Sequence, residues 1–444
     1  MHVRDPIHGL VGISSEEREL MSTPAFLRLQ RIRQLSHTYI VYPSAVHTRL
    51  EHSIGTMHVA GRMCDALGIT DNNKRLVRIS ALLHDIGHGP FSHLFEHVMK
   101  KINPDCANIH ETISTMIITT NKDIGSILSN EDKRTIDRLI HDGAKNGRQP
   151  TLATASQKHD HDIDDDLPLM SSIVSGNLDA DKLDYLKRDS YHIGAKYGEF
   201  DLERIINVLQ RSATSPSLVS VSRKGVSALE NYRLARYLVH AQVYEHHTRL
   251  AADLMFLRSL NKAIHHEGVF DKKRLKLTNP DFLSFYHGLD DSSIYYTIIN
   301  SDQSSTSRKI LLDILNRRLL KRASYFTSKD IAGAFFYQNL LKDDSSLQQI
   351  SDEILKSLDP QLESHHVILH RSKITIKLYE DPDLFYTHKG KDHPISDLSP
   401  ISSDREVNWF YAFGPPDRPT REKINAMLAS KLNVPPDTIS ADIR

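Results

Sequence analysis

Apolar positions along most of the chain repeat at steps of three or four residues. This spacing places apolar side chains on one face of a helix and polar side chains on the other. The predicted helical segments are a run beginning at Thr23–Pro24, the segment RLEHSIGTMHVAGRMCDAL (49–67), residues 75–86, about 171–265 and about 305–357. The pattern therefore predicts a mainly α-helical protein.

Two regions alternate apolar and polar residues instead, as strands do. Residues 1 to about 14 are predicted to form a short hairpin that turns at its proline and glycine. After Pro360, HHVILHRSKITIKLYED and WFYAFG are predicted strands, and REKINAMLASKL is a predicted closing helix. We therefore predict two domains, a helical domain over 1–360 and a smaller α/β C-terminal lobe over 361–444.

A polar insertion interrupts the helical pattern at about 142–168. Its HDHDIDDD run, His159 to Asp166, has the residue types of a metal site. A run of like charges repels itself and lacks a supporting shell of other side chains. We therefore interpret the run as part of a solvated loop.

Composition narrows the class of protein. The chain has 444 residues, and 56 basic residues balance 56 acidic ones, so a nucleic-acid partner is not indicated, although a local basic groove would permit one. The two cysteines, Cys64 and Cys106, exclude a disulfide scaffold and fit a reducing compartment. The first residues lack a signal-peptide pattern, and no apolar stretch approaches about 18 residues, so no membrane partner is expected. We expect a cytoplasmic protein.

One short segment, ALLHDIGHGPFSH, places two metal-ligand types side by side at the end of an apolar helical run. These are His84 and Asp85; the glycines that follow should end the helix, and Pro90 should open the next one. His52 and Asp181 offer an imidazole and a carboxylate from two other helical segments. Because neutral imidazole and carboxylate suit Mn, Fe, Zn, Ni or Mg, the four residues are predicted to bind one divalent metal ion.

Other polar residues near this motif have the chemistry for proton transfer. A histidine beside a carboxylate and a divalent ion can exchange protons with water or with a leaving oxygen. The candidates are His88, His93, Glu96 and His110. Taken singly, each would be an ordinary hydrogen-bonded histidine or a surface carboxylate; their clustering supports a catalytic role.

Three cationic side chains, Arg49, Lys182 and Arg236, could together neutralise several phosphate charges. Arg49 precedes His52 by three residues and so shares its helical face. The residues that share a helical face with Lys182 or Arg236 are Tyr185, Asp189, His240 and Tyr244. The number of positive charges suggests phosphate chemistry at the predicted metal site.

These residues lie in motifs that resemble the HD phosphohydrolase superfamily, whose pattern is H…HD…D. More closely, the chain resembles the deoxynucleoside triphosphate triphosphohydrolase branch over roughly residues 3–260. The matching motifs are DPIHG (5–9), TPAFLRLQRIRQL (23–35), YPSAVHTRLEHSIG (42–55), HDIGHGPFSH (84–93), HE (110–111), LDADKLDYLKRD (178–189) and VYEHH (243–247). The resemblance implies an HD-domain helical bundle that assembles as a homodimer or homotetramer.

Carried over residue by residue, the resemblance implies roles for each group of site residues. The metal ligands would be His52, His84, Asp85 and Asp181. The catalytic group near the α-phosphorus would be His93, Glu96 and His110, with His88 also lining the site. The residues contacting the triphosphate would be Arg49, Lys182, Tyr185 and Arg236, and those bordering the sugar would be Gln34, Leu35, Asp189 and Tyr244. The implied reaction is metal-dependent attack of water on the α-phosphorus of a dNTP substrate, which releases a deoxynucleoside and inorganic triphosphate.

Some positions differ from the vertebrate members of this branch. Glu96 replaces an aspartate, which changes the reach of the carboxylate and keeps its role. In the segment that binds an activating guanine nucleotide there, an acidic residue, a glutamine and an arginine are replaced by Ser22, Leu27 and Gln30. His247 replaces a lysine that contacts the allosteric phosphate. Because a leucine side chain cannot hydrogen-bond, we expect either constitutive activity or activation by a different allosteric nucleotide.

Two other functions remain open from the residues alone. The same metal site would serve an HD-type phosphohydrolase acting on another nucleotide or on nucleic acid. The protein could also be a nucleotide-sensing regulator, although all predicted ligands and proton-transfer residues are present.

Overall fold

The computed structural model describes residues 1–141, 161–213, 218–331, 343–376, 385–395 and 405–440. Its α-helices are α1 (Ser15–Met21), α2 (Pro24–Leu27), α3 (Arg49–Leu67), α4 (Asp71–Leu83), α5 (His93–Ile102), α6 (Ile109–Thr120), α7 (Lys122–Ile127), α8 (Asn130–His141), α9 (His161–Ser175), α10 (Ala180–Ile193), α11 (Leu202–Val208), α12 (Val226–Val239), α13 (His247–His265), α14 (Phe282–His287), α15 (Asp291–Ile299), α16 (Thr306–Leu315), α17 (Asp344–Lys356) and α18 (Arg418–Leu432). Among these helices, none is long and apolar enough to span a bilayer.

The strands form three small sheets in the described part of the chain. They are β1 (His2–Asp5), β2 (Gly9–Gly12), β3 (Leu209–Arg211), β4 (Val219–Ser222), β5 (Lys321–Thr327), β6 (Ile368–Ile376), β7 (Phe385–His388), β8 (Lys391–Pro394) and β9 (Arg405–Gly414). The sheets have the orders β1-β2, β3-β4-β7-β8 and β5-β9-β6. β4 and β7 run parallel, and every other neighbouring pair is antiparallel.

Packing divides the chain into two compact units. The first comprises 1–239, 273–294 and the described part of 378–403. Its central helix is α3, which packs against α4 and α10. α3 is buried on most of its circumference, as expected for a helix surrounded by others. These three helices bring the predicted metal ligands together.

The second unit comprises 240–272 and the described parts of 295–377 and 404–444. Its C-terminal part is a β5-β9-β6 sheet covered by α17 and α18. The apolar faces of these elements form one buried cluster, in which the rings of Phe326 and Phe410 stack 5.1 Å apart. The leucine, isoleucine and phenylalanine members of that cluster are Phe326, Ile331, Leu347, Ile350, Ile354, Leu369, Phe410, Ile424, Leu428, Leu432 and Ile439.

The predicted fold class is confirmed: the protein is mainly α-helical with a smaller α/β C-terminal lobe. The N-terminal hairpin forms as β1 and β2, and the alternating C-terminal segments form β6 and β9, followed by α18. We predict a boundary between two domains near residue 360. The division into packing units does not test that boundary. It stays a prediction.

Several local predictions are wrong. Strands β3 and β4 interrupt the region predicted to be helical over 171–265, and β5 interrupts the one over 305–357. β3 and β4 span only three and four residues, too few to show a strand period against the helices around them, and β5 mixes charged, polar and apolar residues. The run that begins at Thr23 is helical only in α2 and in a 3-10 turn, Arg28–Arg31.

The HDHDIDDD run is not a loop throughout. Its residues from His161 onward lie in α9, and Asp166 pairs with Arg211 at 2.6 Å. The charge pattern of the run does not show that Asp166, its last residue, has this basic partner. The rest of the predicted insertion, 142–160, lies outside the described residues.

Candidate metal and catalytic site

Four predicted ligands meet where α3, α4 and α10 pack together. His52 projects from α3, His84 and Asp85 directly follow the end of α4, and Asp181 lies in the first turn of α10. His52 Nε2 lies 3.0 Å from Asp181 Oδ1 and 3.7 Å from Asp85 Oδ2. His84 Nε2 lies 3.3 Å from Asp85 Oδ1 and 3.9 Å from Asp181 Oδ1. Ligand atoms of His52, His84 and Asp181 thus lie within 4.8 Å of one another, and Asp85 lies against both imidazoles.

The donor set fits a divalent cation. Within the described residues, the buried His84 Nε2 makes no hydrogen bond, while His84 Nδ1 lies 2.8 Å from the carbonyl oxygen of Ala81. That contact turns the other ring nitrogen toward the carboxylates. Burial disfavours charge on His52, but hydrogen bonds to Asp181 and Asp184 raise its pKa to about 10. Asp85 and Asp181 contribute two carboxylates whose charge a divalent cation can compensate. Two imidazoles and two carboxylates suit Mn, Fe, Zn, Ni or Mg.

Arg49 lies against one of these carboxylates. Its guanidinium donates to Asp85 through Nη1 and to Ser92 Oγ at 2.8 Å through Nε. Burial alone would raise the pKa of Asp85, but the charges of Arg49 and His84 hold that pKa well below its usual value. Arg49 therefore keeps Asp85 ionised and oriented.

A second cluster surrounds Glu96 on α5. Its carboxylate oxygens lie 2.7 Å from His110 Nδ1, 3.2 Å from His88 Nδ1 and 3.5 Å from His93 Nδ1. The rings of His88 and His110 stack 4.3 Å apart. His88 also reaches the metal ligands, because its Nε2 lies 3.2 Å from Asp85 Oδ1. The two clusters are therefore contiguous through His88.

The stacked imidazoles have opposite protonation preferences. Burial and the nearby charge of Arg49 lower the pKa of His88 to about 4. Burial also opposes charge on His110, but contact with Glu96 raises the pKa of His110. Burial alone would raise the pKa of Glu96, but hydrogen bonds with its three histidine neighbours lower that pKa. Contact with Glu96 thus favours the protonated form of His110, whereas burial and Arg49 favour the neutral form of His88.

A tight turn after α4 positions both clusters. Gly87 packs so closely on α6 that a Cβ there would lie 2.2 Å from the carbonyl oxygen of His110. Phe91 and Ser92 adopt φ values of 55° and 54°, which is strained for residues with side chains. Pro90 lies within this turn, and α5 begins at His93, so the prediction that Pro90 opens the helix is wrong. The prediction that His93 lies in the first turn of that helix is confirmed.

Two family models match this chain, an HD domain over residues 49–154 and an HD associated region over residues 200–375. The first covers three of the four metal-ligand candidates and the whole Glu96 cluster. Among curated proteins, MJ1154 of Methanocaldococcus jannaschii is 30% identical over 371 residues, which is 80% of this chain and 73% of that protein. The deoxynucleoside triphosphate triphosphohydrolase SAMHD1 of Gallus gallus is 30% identical over 347 residues, which is 71% of this chain and 55% of that protein. The chain belongs to the HD-domain family that contains these triphosphohydrolases.

The human SAMHD1 protein is 29% identical to this HD-domain chain over 344 residues, which is 72% of this chain and 54% of the human protein. Among solved structures, a hypothetical protein from Aquifex aeolicus matches with a TM-score of 0.70 and 24% identity. That match covers 96% of this chain and 99% of the other, and it supports the fold alone. Membership of the family makes this chain a metal-dependent phosphohydrolase of the HD superfamily.

The segment predicted to border a sugar lies beside the start of α3. Gln34 donates its backbone N–H to the carbonyl oxygen of His47 at 3.0 Å, and Leu35 follows it, half-buried. His47 Nε2 in turn lies 2.8 Å from Asp189 Oδ1 of α10. The structure thus brings Gln34, Leu35 and Asp189 into one neighbourhood, and their role toward a sugar stays a prediction.

The residues predicted to bind a triphosphate differ in their surroundings. The Lys182 ammonium donates to Asp179 Oδ2 at 2.5 Å and to the carbonyl oxygen of Gly176 at 2.8 Å, so a phosphate would have to draw it away. Tyr185 has its pKa raised by burial and lowered in part by the charge of Arg236, which lies close to it. Asp181, in the first turn of α10, is 32% exposed, so solvent reaches the candidate metal ligands at that point.

His240 and Tyr244 belong to the second unit. They lie in a π-helical turn after α12, where their rings meet edge to face at 4.8 Å. The carbonyl oxygen of Tyr244 accepts a hydrogen bond from Arg249 at 2.5 Å. Their contact with a substrate stays a prediction.

Residue patterns did not identify the side chains that support the ligands. Asp184, three residues after Asp181, accepts from His52 Nδ1 at 2.8 Å, and His8 of the hairpin reaches Asp184 at 2.7 Å. Both lie in the motifs LDADKLDYLKRD and DPIHG. In the sequence, each of these two residues is only a single polar residue within a motif, and the spacing of residues does not show that the two meet.

Proposed function

We propose that this HD-domain protein hydrolyses deoxynucleoside triphosphates to a deoxynucleoside and inorganic triphosphate. The observation that carries the proposal is the continuity of the two clusters. Asp85, a metal-ligand candidate, lies 3.2 Å from His88, which lies 3.2 Å from Glu96, which lies 2.7 Å from His110. Proton-transfer groups thus lie directly beside the candidate cation site.

The residues around the clusters have distinct tasks in such a reaction. When bound, a divalent cation would supply Lewis-acid stabilisation of phosphoryl oxygens and lower the pKa of bound water. His110, whose protonated form contact with Glu96 favours, can donate a proton to the departing oxygen of the sugar. Arg236 would provide positive charge for a phosphate chain, and Arg49 would do so while its guanidinium is also bonded to Asp85 and Ser92.

The substrate class rests on charge and on relatives. A monophosphate would not need three cationic residues, whereas a triphosphate would. The SAMHD1 proteins of Gallus gallus and Homo sapiens, at 30% and 29% identity, are named deoxynucleoside triphosphate triphosphohydrolases. Assembly as a homodimer or homotetramer, and control by an allosteric nucleotide, are further parts of this proposal.

The test is product analysis. Purified protein is incubated with Mn²⁺ and each dNTP, and the products are separated by ion-exchange chromatography. Deoxynucleoside and intact triphosphate in equal amounts are the expected products. Deoxynucleoside monophosphate with diphosphate would place cleavage at a different phosphorus and refute the proposal.

A second candidate is an HD-type phosphohydrolase for another nucleotide. It is favoured by Lys182, which is already bonded to Asp179 and Gly176 and so offers less charge to a triphosphate. Ribonucleotides and nucleoside monophosphates assayed beside the dNTPs distinguish the two candidates. Faster turnover of a monophosphate than of any triphosphate would favour the second.

A further inference from the structure

The ring of His52 is held between carboxylates on both sides. Its Nε2 faces Asp181 Oδ1 at 3.0 Å, and its Nδ1 faces Asp184 Oδ2 at 2.8 Å. Because an ionised carboxylate only accepts, Asp184 accepts a hydrogen bond from the Nδ1–H of His52, which leaves Nε2 as the nitrogen that faces the candidate cation site. Asp184 therefore selects the tautomer that a ligand at this position needs.

Asp184 is itself fixed by three hydrogen bonds besides the one from His52. His8 Nε2 lies 2.7 Å from Oδ1, while Arg188 donates to Oδ2 through Nε at 2.8 Å and to Oδ1 through Nη2 at 2.9 Å. The side chain of His8 is 2% exposed, and those of Asp184 and Arg188 are fully buried. Asp5 of the hairpin completes the network at 3.0 Å from Arg188. Water does not compete for these bonds.

The neighbouring helix leaves room for this carboxylate. Gly55 lies one turn after His52 on α3, and a Cβ there would lie 2.0 Å from Asp184 Oδ1. A larger residue at position 55 would push Asp184 away from both imidazoles. The absence of a side chain at Gly55 thus allows α10 to approach α3 closely enough for Asp184 to contact His52.

We propose that Asp184, held in place by His8 of the N-terminal hairpin, is a positioning residue that orients His52 for metal binding. The inference rests on the proposed function in one respect, the presence of a divalent cation. Outer carboxylates that accept from a ligating histidine typically change metal affinity about 10- to 100-fold when they are replaced. The N-terminal hairpin therefore supports the candidate metal site, although none of its residues is among the predicted ligands.

A purely structural role is the competing explanation, since the Arg188–Asp184 ion pair lies within α10 and Arg188 also reaches Asp5. That role would affect stability without affecting the cation. The contact from His8 separates the two explanations, because it ends on the carboxylate oxygen Oδ1 and can be removed while the Arg188 contacts remain. His58 provides a matched control, because its ring packs 5.2 Å from that of His8 in the same region.

The experiment measures Mn²⁺ affinity of the full chain after metal removal, by isothermal titration in the absence of nucleotide. Asp184→Asn should weaken binding about 10- to 100-fold, and His8→Phe, which keeps a ring and removes the donor, about 10-fold. His8→Gln, which restores a donor, should recover part of the loss. His58→Gln should bind as the unaltered protein does. The Co²⁺ absorption spectrum, which reports ligand geometry, should change in Asp184→Asn and His8→Phe alone.

Circular dichroism and thermal unfolding establish that each variant is folded. If Asp184→Asn and His8→Phe bind Mn²⁺ within twofold of the unaltered protein while His84→Ala loses it, the positioning role is refuted and the proposed function stands. If binding weakens as expected but dNTPs are not hydrolysed, the positioning role stands and the substrate assignment fails. An unaltered chain that binds no divalent cation would overturn both.

Discussion

Glu96 contacts two stacked imidazoles, and the surroundings of each imidazole determine which of them is more easily protonated. His88 and His110 both contact it, but His88 is fully enclosed and close to Arg49, whereas His110 is 25% exposed. With their rings 4.3 Å apart, protonation of both would be unfavourable. We therefore predict that His110, the more accessible of the two rings, transfers the proton, while His88 lies between it and Asp85.

Replacement of His110 by glutamine should lower kcat about 100-fold or more, because it removes a positioned general acid. Since contact with Glu96 raises the pKa of His110, the unaltered enzyme should stay active above the usual histidine range and lose activity as pH rises through that raised value. His110→Gln should lack this alkaline decline. Steady-state rates across pH, with Mn²⁺ affinity measured in parallel, check the expectation.

His93→Gln is the matched comparison, because His93 contacts the same carboxylate but is 71% exposed. We expect it to lose less activity than His110→Gln. If His93→Gln loses more, the general acid is His93, and the assignment to His110 is wrong.

The turn between α4 and α5 holds α6 as well as the ligands. The Gly87 N–H donates to Ser114 Oγ at 3.0 Å, and Ser114 Oγ donates to the carbonyl oxygen of His84 at 3.1 Å. Buried Tyr286 caps the same turn by donating to the carbonyl oxygen of Gly87 at 2.8 Å. The position of His110 therefore depends on backbone contact between this turn and α6.

Gly87→Ala should destabilise the protein by about 1–3 kcal/mol, as overpacking against backbone does. A Cβ at this position would meet the carbonyl oxygen of His110 at 2.2 Å and the Ser114 nitrogen at 2.4 Å, so α6 must shift. Activity should fall further than the folded fraction does, because His110 would move from Glu96. Chemical denaturation and specific activity of the folded protein measure the two effects.

Gly12→Ala serves as the control, because nothing lies within 4 Å of a Cβ there. It should be close to neutral in both measurements. Equal losses in the two variants would show that the close contact at Gly87 has no special importance.

Sequence pattern predicted those elements whose period differed from their surroundings. The N-terminal hairpin and the alternating β6 and β9 are examples, as is the long apolar helix α3. The three-residue β3 could not be recognised, because a stretch of three residues is too short to show a period. The glycines after α4 correctly predicted that the helix ends there, but the positive φ of Phe91 and Ser92 could not be predicted, because tertiary contacts hold it.

Some residues of the candidate site could be predicted from the sequence and others could not. His84 and Asp85 are conspicuous as neighbours, whereas Asp184 and His8 are single polar residues whose meeting requires two long-range contacts. The engagement of Lys182 by Asp179 likewise depends on the local fold at the start of α10. Residue type and spacing indicate ligand chemistry, but they do not determine which side chains support it.

At the scale of the molecule, the predicted ligands join parts of the first unit that are far apart in sequence. Asp181 lies 129 positions after His52 in the printed numbering. A cation held by both would bind the folded chain and not the unfolded one, because the unfolded chain does not assemble the site. Metal binding and folding should therefore be linked.

Addition of Mn²⁺ to metal-depleted protein should raise the thermal unfolding midpoint, with a stabilisation of about 2.7 kcal/mol at 100 times the dissociation constant. A chelator should reverse the shift. The doubly substituted His84→Ala, Asp85→Ala protein should show no shift, because it retains half of the donor set. His2→Ala, which removes an exposed imidazole from the same unit, should keep the full shift. A midpoint that rises equally in the double variant would mean that Mn²⁺ stabilises the chain from another site, and the four-residue assignment would fail.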